Sequence, residues 1–233
     1  MPLNILYKED VARDIARIWH CCDETAVSTI AENMSIRMLK KNDLIYRERQ
    51  APTTLIYLVR GKVKIVKECG MGRTQIVRAI KEHCFLGYRA FFAKECYTTS
   101  AMAFETSIVA TIPLDTLLAM MSGYRGIVQY FMYELAATLG QTDARIVSLT
   151  QKHIRGRLAE TILSLKDSYG IAAGLGTLDI SMNRDDLASM SNMSTSNAIR
   201  TLSAFAREGI VATDGKKIKI LDEAKLKRIS EME

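Results

Sequence analysis

The chain has 233 residues, of which 48% are apolar and 25% charged, and its mean hydropathy is close to zero. This composition is typical of globular domains and excludes collagen-like, disordered and membrane-spanning chains. The 32 basic and 26 acidic residues give a net charge of +6, which is compatible with a nucleic-acid partner but does not require one. At roughly 100–200 residues per domain, the length predicts one or two domains, each able to bury a core.

No stretch of the sequence reaches the ~20 apolar residues that a transmembrane helix needs. The first ten residues have a short apolar start, then three charged residues, and lack the apolar region of a signal peptide. We therefore expect a cytoplasmic protein with reduced thiols and no membrane partner. The cysteines lack the regular spacing of a disulfide framework; they are Cys21, Cys22, Cys69, Cys84 and Cys96.

The first half of the chain changes from helical to strand-like periodicity near residue 35. Between residues 11 and 33, apolar residues recur at helical spacing, which predicts short helices. Between residues 35 and 112, short apolar runs alternate with turns. The stretch Lys62-Val63-Lys64-Ile65, directly after Gly61, has the period-2 alternation of a half-buried strand. Many short strands of this kind predict an antiparallel β-roll, similar to a cupin-like jelly roll.

A long helix is predicted over residues 125–151, after a short helix over residues 114–121. Its apolar residues advance by three and four positions, as in the seam of a coiled coil. A roll of about 80 residues is too small to cover a helix of about 40 Å, so we predict a parallel homodimer. The alternative is a helix that packs only on its own roll. The predicted seam consists of Val128, Phe131, Leu135, Leu139, Thr142, Ile146 and Leu149.

Two short helices are predicted near the C-terminus, over residues 184–190 and 195–208, with Asn183 and Ser194 as their N-caps. A three-residue turn joins them, which matches a helix-turn-helix. The dipeptide Asp214-Gly215 between two β-prone runs then predicts a hairpin with a type I′ turn. Two helices followed by a hairpin with a basic strand predict a winged helix-turn-helix.

The second of these helices has residue types that suit DNA. No Asp or Glu occurs between residues 187 and 207, and an α-helix fits the major groove with its N-terminal residues at base edges. Arg200 can donate two hydrogen bonds to guanine, and Asn197 can pair with adenine. The alternative is a polar, solvated helix face. The predicted DNA-binding residues are Arg184, Ser194, Thr195, Ser196, Asn197, Arg200, Lys216 and Lys217.

Several segments together resemble the CRP/FNR family of bacterial transcription regulators. Gly61-Lys62-Val63-Lys64 is similar to the early part of the family's roll. Phe85-Leu86-Gly87-Tyr88, followed by Thr99-Ser100-Ala101, resembles its phosphate-binding cassette. Residues 153–159 resemble its hinge, and residues 193–202 its recognition helix. The order and spacing of these segments make the resemblance specific.

The resemblance covers nearly the whole chain and implies an α+β fold in three parts. These are a sensory, cyclic-nucleotide-binding-like β-roll domain with flanking helices over residues 1–123, a dimerisation helix over 124–152, and a winged helix-turn-helix over 153–233. The implied function is that of a dimeric, sequence-specific transcription regulator on near-palindromic double-stranded DNA. The family also implies a contact with RNA polymerase through residues 170–176.

Two other function classes are open to the sequence. An enzyme on a cupin-like barrel would need clustered metal ligands, and the three histidines are scattered, so no enzyme is expected. A ligand-binding roll whose helix-turn-helix contacts protein would not bind DNA. Salt-dependent DNA binding separates that alternative from a regulator.

The effector is expected to differ from cyclic AMP. Family members that bind cyclic nucleotides place a glutamate after the cassette glycine and an arginine before the Ser-Ala pair. This chain has Tyr88 and Thr99 at those positions. A cyclic phosphate would therefore lack its charge-assisted partner. The resemblance still places an effector pocket, for a small molecule or gas, at Gly87, Tyr88, Arg89, Thr99 and Ser100.

Three other sensing chemistries occur in the family or fit its residue types. Haem-based sensing of nitric oxide or redox state is an alternative for which His20, His83 and His153 are conceivable ligands. An iron–sulfur cluster is disfavoured because Cys21 and Cys22 are adjacent instead of spaced. A redox-active thiol is a third alternative, with Cys21, Cys22 and Cys96 as candidates. Otherwise the effector is an unnamed small molecule, or the roll is vestigial and the protein is competent without an effector.

Overall fold

The structure is a computed structural model that describes residues 5–21, 23–70, 73–172 and 176–233. By internal contacts the chain forms two compact units. The first comprises Met1–Ile65 and Ile80–Gln141, and the second comprises Val66–Ala79 and Thr142–Glu233. In the described part of the chain, no helix is both long enough and apolar enough to cross a bilayer.

The first unit begins with two helices, α1 (Ile5–Ile18) and α2 (Glu24–Asn33). They confirm the short helices predicted from the periodicity, although α1 begins earlier than the pattern indicated. The side chain of Asp23 caps α2 by accepting a hydrogen bond from the Ala26 N–H at 2.9 Å.

The predicted roll is confirmed as two four-stranded sheets with antiparallel pairing. In one sheet the strand order is β1-β8-β3-β6, and in the other β2-β7-β4-β5. The register of the first sheet shifts between Leu58 and Arg60, where β3 bulges against β8. The strands are β1 (Ser35–Leu39), β2 (Leu44–Tyr46), β3 (Thr54–Arg60), β4 (Val63–Cys69), β5 (Arg73–Ile80), β6 (Cys84–Leu86), β7 (Ser100–Ala103) and β8 (Ser107–Pro113).

Three helices accompany and follow the strands: α3 (Tyr88–Phe92), α4 (Leu114–Gly123) and α5 (Arg125–Gln151). The last two confirm the prediction, and α5 has the predicted bounds. Helix α3 was not predicted, because five residues are too few to show a helical period. Gly87 precedes α3 with φ 84°, a left-handed conformation that favours glycine.

An aromatic cluster fills the core of the first unit. Trp19 stacks on Phe85 with ring centroids 5.1 Å apart, and Phe131 of α5 lies 5.2 Å from Tyr88 and 5.8 Å from Phe85. Phe131 is only 1% exposed. This burial corrects the prediction that Phe131 belongs to the dimer seam, since its ring contributes to the core of its own protomer.

The second unit contains the predicted winged helix-turn-helix. Its core is formed by apolar residues of several helices, including Leu158, Ile162, Leu187 and Phe205, all fully buried. The C-terminal helix α9 was not predicted. The elements are α6 (Ile154–Tyr169), α7 (Arg184–Met190), α8 (Thr195–Arg207), β9 (Val211–Asp214), β10 (Lys217–Ile220) and α9 (Glu223–Met232).

The hairpin of the wing differs from the prediction in its turn. Strands β9 and β10 pair antiparallel, with Lys217 opposite Asp214, so the two loop residues are Gly215 and Lys216. Gly215 has φ 54°, whereas Lys216 is not among the residues with positive φ. A type I′ turn needs positive φ at both positions, so the hairpin is confirmed and the type I′ turn is wrong.

Candidate nucleic-acid interface

Both helices of the helix-turn-helix begin at the predicted caps. The side chain of Asn183 accepts a hydrogen bond from the Asp186 N–H at 2.6 Å, and the Ser194 hydroxyl accepts one from the Asn197 N–H at 3.2 Å. These bonds satisfy backbone donors that the first helical turn leaves without partners. Ser194 is predicted to contact DNA from the N-terminus of α8, and in the structure its hydroxyl already accepts the capping hydrogen bond of that helix.

The outward face of α8 carries mostly polar side chains. Ser196, Ile199, Arg200, Ser203 and Arg207 are all exposed. At 3.6 residues per turn they fall on one side of the helix. The opposite side packs into the core of the unit. The acid-free stretch found in the sequence therefore contributes both this exposed face and part of the buried core.

Three predicted DNA-binding residues form hydrogen bonds with neighbouring side chains. The Arg200 guanidinium donates a hydrogen bond to the Asn197 Oδ1 at 2.8 Å, which joins the two residues predicted to contact bases. The Thr195 hydroxyl donates to the carboxylate of Asp185 at 2.7 Å, linking the first turns of α8 and α7. These bonds restrict the side chains before any partner binds.

The wing turn is bonded to the entrance of α7. Arg184 donates from Nη2 to the carbonyl oxygen of Gly215 at 3.0 Å, and the Met182 N–H donates to the carbonyl oxygen of Lys216 at 2.9 Å. The Arg184 Nη1 atom is buried. The structure thus places Arg184 under the wing, whereas Lys216 and Lys217 are exposed at its tip.

Arg157 supports the turn between α7 and α8. Its guanidinium donates to the carbonyl oxygens of Ser191 at 3.1 Å and Asn192 at 3.3 Å, and to that of Lys152 at 2.8 Å. Since these carbonyls lie at the end of α5 and in the turn, one side chain joins the predicted hinge to the helix-turn-helix.

A second support comes from β5, whose residues 73–79 belong to the second unit. The Ser189 hydroxyl donates to the Thr74 carbonyl oxygen at 3.0 Å and accepts from the Ile76 N–H at 2.7 Å. Gln75 donates to the Ser189 carbonyl oxygen. The last turn of α7 therefore bonds to β5 much as a neighbouring strand would.

Arg145 of α5 bonds to the same place. It donates to the carbonyl oxygens of Ile76 at 3.3 Å and Met190 at 2.9 Å. Burial lowers the pKa of Arg145, and the nearby carboxylate of Glu160 opposes that effect. The guanidinium is thus a half-buried cation that donates to backbone oxygens.

Sequence reasoning missed these supports because each partner is distant along the chain. Ser189 lies 113 residues from Ile76, Arg145 lies 69 residues from Ile76, and Arg157 lies 34 residues from Ser191. No local period or cap marks such pairs.

The C-terminal end of α8 is anchored by Arg155. Its guanidinium donates two hydrogen bonds to Glu208, at 2.8 and 3.0 Å, and one to Glu233 at 3.0 Å, and it lies 5.0 Å from the Phe205 ring centroid. The bond from Arg155 lowers the pKa of the Glu208 carboxyl, and the same bond raises the pKa of Arg155.

Several residues predicted to line an effector pocket are buried or bonded to neighbouring residues of the chain. Tyr88 is buried, and Ser100 accepts a hydrogen bond from the Glu48 N–H at 2.9 Å. Arg89 bonds to Glu95 and donates to the Thr98 hydroxyl, the latter at 3.0 Å. Tyr88 and Ser100 are therefore part of the packed interior of the roll, whereas Arg89 and its two partners are exposed.

Two stacked tyrosines close the space beside the cassette glycine. The rings of Tyr46 and Tyr97 lie 3.9 Å apart, and burial raises the pKa of Tyr97 to about 12. The Tyr97 hydroxyl lies 3.0 Å from the position that a Cβ on Gly87 would occupy. Half-buried Thr99 stands at the position where the family's cyclic-nucleotide-binding members have their arginine, so this predicted anion position has none.

The conceivable metal ligands are dispersed. The Nδ1 atom of His83 and the Tyr57 hydroxyl form a hydrogen bond of 2.9 Å. His20 is exposed, and the backbone N–H of His153 donates to the Glu233 carbonyl oxygen. Among the described residues, no three His, Cys, Asp or Glu side chains are placed to hold a metal ion. Of the candidate thiols, Cys21 is buried, Cys96 is exposed, and Cys22 lies outside the described residues.

Two known domain families match the chain, in the order that the fold requires. The cyclic nucleotide-binding domain matches residues 36–124, and the Crp-like helix-turn-helix domain matches residues 156–229. The chain belongs to the CRP/FNR family of transcription regulators. It is a DNA-binding transcription regulator of the CRP/FNR type, and α8 lies within the matched helix-turn-helix domain.

Similarity to individual CRP/FNR proteins extends along most of the chain. The CRP-like cAMP-activated global transcriptional regulator of Mycobacterium tuberculosis is 21% identical over 215 residues, covering 91% of this chain and 96% of that protein. The anaerobic regulatory protein of Bacillus subtilis is 24% identical over 180 residues, covering 76% of each chain. The structure of FixK2 from Bradyrhizobium japonicum matches with a TM-score of 0.74 at 18% identity, covering 84% of this chain and 96% of that one. These proteins share its fold.

Proposed function

We propose that this regulator acts as a parallel homodimer that binds a near-palindromic operator. The observation that carries the proposal is a line of exposed apolar side chains on α5. Met132, Leu139 and Ile146 are 65%, 63% and 55% exposed. Each lies seven residues from the next, which is the heptad spacing of a coiled-coil seam.

The second line of the heptad supports the same interface. Leu135, Thr142 and Leu149 stand three residues after the first set, as d positions follow a positions. Leu135 and Leu149 are half-buried and Thr142 is exposed. The proposed seam differs from the sequence prediction in one residue, because Met132 replaces Phe131. Val128 remains at the N-terminal end of the seam and is half-buried. Solvent-exposed leucine and isoleucine at heptad spacing favour a partner helix over an unpaired surface.

In the proposed complex the helix α8 of each protomer enters one of two successive major grooves, about 34–36 Å apart. Arg200 and Asn197 contact base edges, and Ser196 and the hydroxyl of Thr195 contact bases or phosphates. Ser194 combines its capping role with a phosphate contact through the helix N-terminus. Lys216 and Lys217 neutralise phosphates from the wing.

Arg184 is assigned a supporting part in this complex. Because its guanidinium bonds to the Gly215 carbonyl oxygen, it holds the wing in position against α7 in addition to any phosphate contact. We also propose RNA polymerase as a protein partner, as the family implies. We do not expect the regulator to be an enzyme. Of the segment 170–176 implied in that contact, residues 173–175 lie outside the described residues.

We assign sensing to residues 1–123, with dimerisation over 124–152 and DNA binding over 153–233. The described residues do not fit a cyclic nucleotide, because Tyr88 and Thr99 replace the expected glutamate and arginine. The guanidinium of neighbouring Arg89 is already bonded to Glu95 and Thr98. The effector is therefore a different small molecule or gas. By favouring one orientation about the hinge at residues 153–157, it shifts the population of DNA-binding dimers.

Sedimentation equilibrium at micromolar protein tests the dimer directly. The proposal predicts a species of twice the 26.1 kDa chain mass, and a monomer at all concentrations contradicts it. Calorimetric titration with cyclic AMP tests the effector assignment. No saturable heat is expected, and saturable binding would overturn the argument from Tyr88 and Thr99.

A further inference from the structure

Ile199 differs from the other large apolar residues of α8 in its exposure. It is 46% exposed, whereas Leu202 and Phe205 are buried in the core of the unit. Its neighbours on the outward face include Ser196 and Arg200, which are polar and exposed. A branched aliphatic side chain therefore interrupts a polar surface at the part of the helix assigned to base contacts.

The geometry of α8 separates Ile199 from Arg200. Successive residues of an α-helix are about 100° apart around the axis, so the two side chains lie on either side of the line through Ser196 and Ser203. The hydrogen bond of 2.8 Å from Arg200 to Asn197 draws the guanidinium further away from Ile199. With α8 in a major groove, as in the proposed complex, the two side chains would face different base pairs.

The major groove offers only one apolar group to such a side chain. Guanine, adenine and cytosine present hydrogen-bonding atoms there, and thymine alone presents its 5-methyl group beside an acceptor. An isoleucine against a polar base edge would exclude water from donors or acceptors without replacing their hydrogen bonds. Apolar contact with the thymine methyl has no such cost.

We propose that Ile199 is a specificity-determining residue that reads a thymine through its 5-methyl group, beside the base that Arg200 contacts. The inference rests on the proposed function, in which α8 lies in the major groove of an operator. It adds a recognised base, since each half-site then contains a thymine whose methyl group, absent from uracil, is contacted by Ile199.

The test replaces single thymines by deoxyuridine, which removes only the methyl group. An operator is first obtained by selection from random DNA, and every thymine in the half-sites is then changed in turn. One position should weaken binding by about fourfold per half-site, or about 16-fold when both half-sites are changed. For the Ile199→Ala variant the same change should alter affinity less than twofold. Ile199→Val should retain an intermediate dependence.

Leu118→Ala serves as the matched control, because Leu118 is an exposed aliphatic residue, 48% exposed, on α4 instead of α8. It should keep the full dependence on the thymine methyl. The inference is overturned if uracil is tolerated at every position by the unchanged protein, or if Ile199→Ala is as sensitive to uracil as the unchanged protein. Both results leave the proposed function standing, since an operator has then been selected. If selection yields no operator, the proposed function itself fails and the inference falls with it.

Discussion

Replacing Leu139 by glutamine is expected to weaken the proposed dimer without unfolding the protomer. Leu139 is 63% exposed on α5 and stands at the centre of the heptad line formed with Met132 and Ile146. Glutamine is a good helix former, so the helix itself should persist. The change therefore removes apolar contact from the interface and leaves the core untouched.

The size of the effect follows from the exposure of Leu139. Full burial of a leucine side chain contributes about 1.5–3 kcal/mol. Because Leu139 is still 63% exposed in the protomer, its burial on dimerisation should contribute about 1–2 kcal/mol per copy to the free energy of association. A twofold interface contains two copies, which gives ~2–4 kcal/mol. At about 1.4 kcal/mol per decade, the dimer dissociation constant should rise roughly 30- to 700-fold.

Sedimentation velocity over a dilution series measures this constant, and circular dichroism at 222 nm checks that the variant is folded. Met38→Gln is the matched control, because Met38 is 64% exposed but lies on β1 instead of α5. The control should dimerise like the unchanged protein. Equal dissociation constants for Leu139→Gln and the unchanged protein would refute the assignment of α5 as the seam.

Arg200→Ala should cost about 1–3 kcal/mol of operator affinity and relax the preference at one base pair. Competition binding against single-base-pair variants measures this, and an unchanged preference would show that Arg200 does not read a base. Lys217→Gln should weaken binding to all sequences alike and reduce the slope of log affinity against log salt by about 1. An unaltered slope would argue against a phosphate contact. Hydrogen bonds from Lys166 and Lys227 lower the pKa of the Glu223 carboxyl to about 2. The stabilisation that the ionised carboxylate gives the folded state is therefore present above pH 4.5 and lost as the pH falls towards 2. Glu223→Gln should flatten that part of the stability–pH curve in urea unfolding, and an identical curve would contradict the pairing. Ser189→Ala should lower the free energy of unfolding by about 1–2 kcal/mol, because a backbone N–H of β5 loses its acceptor; no change in urea unfolding would show that the contact contributes nothing.

The elements that the sequence predicts well are those with local signals. Helix α5 has the predicted bounds because its apolar residues keep a helical period over seven turns, and α7 and α8 begin where Asn183 and Ser194 cap them. Helix α9 was missed even though Asp222 caps it. Its apolar positions are too few to form a period, and Leu226 and Ile229 become informative only once they are seen to be buried.

The predictions that changed depended on tertiary contacts. Phe131 and Met132 are both apolar and adjacent, so periodicity alone does not decide which of them faces the core; the aromatic cluster with Phe85 decides it. Likewise, a basic residue at the start of α7 suits a phosphate, and only the fold brings the Gly215 carbonyl oxygen to Arg184. Residue type predicts the chemistry of a side chain, but its partner is determined by long-range packing.

Selection of bound sequences from random double-stranded DNA tests the central claim, that two copies of α8 read one operator. The account predicts enrichment of two inverted copies of a short half-site whose centres lie one helical turn apart, about 10–10.5 base pairs. Enrichment of a single unrepeated site, of direct repeats, or of no sequence at all would contradict a symmetric dimer reading DNA through this helix.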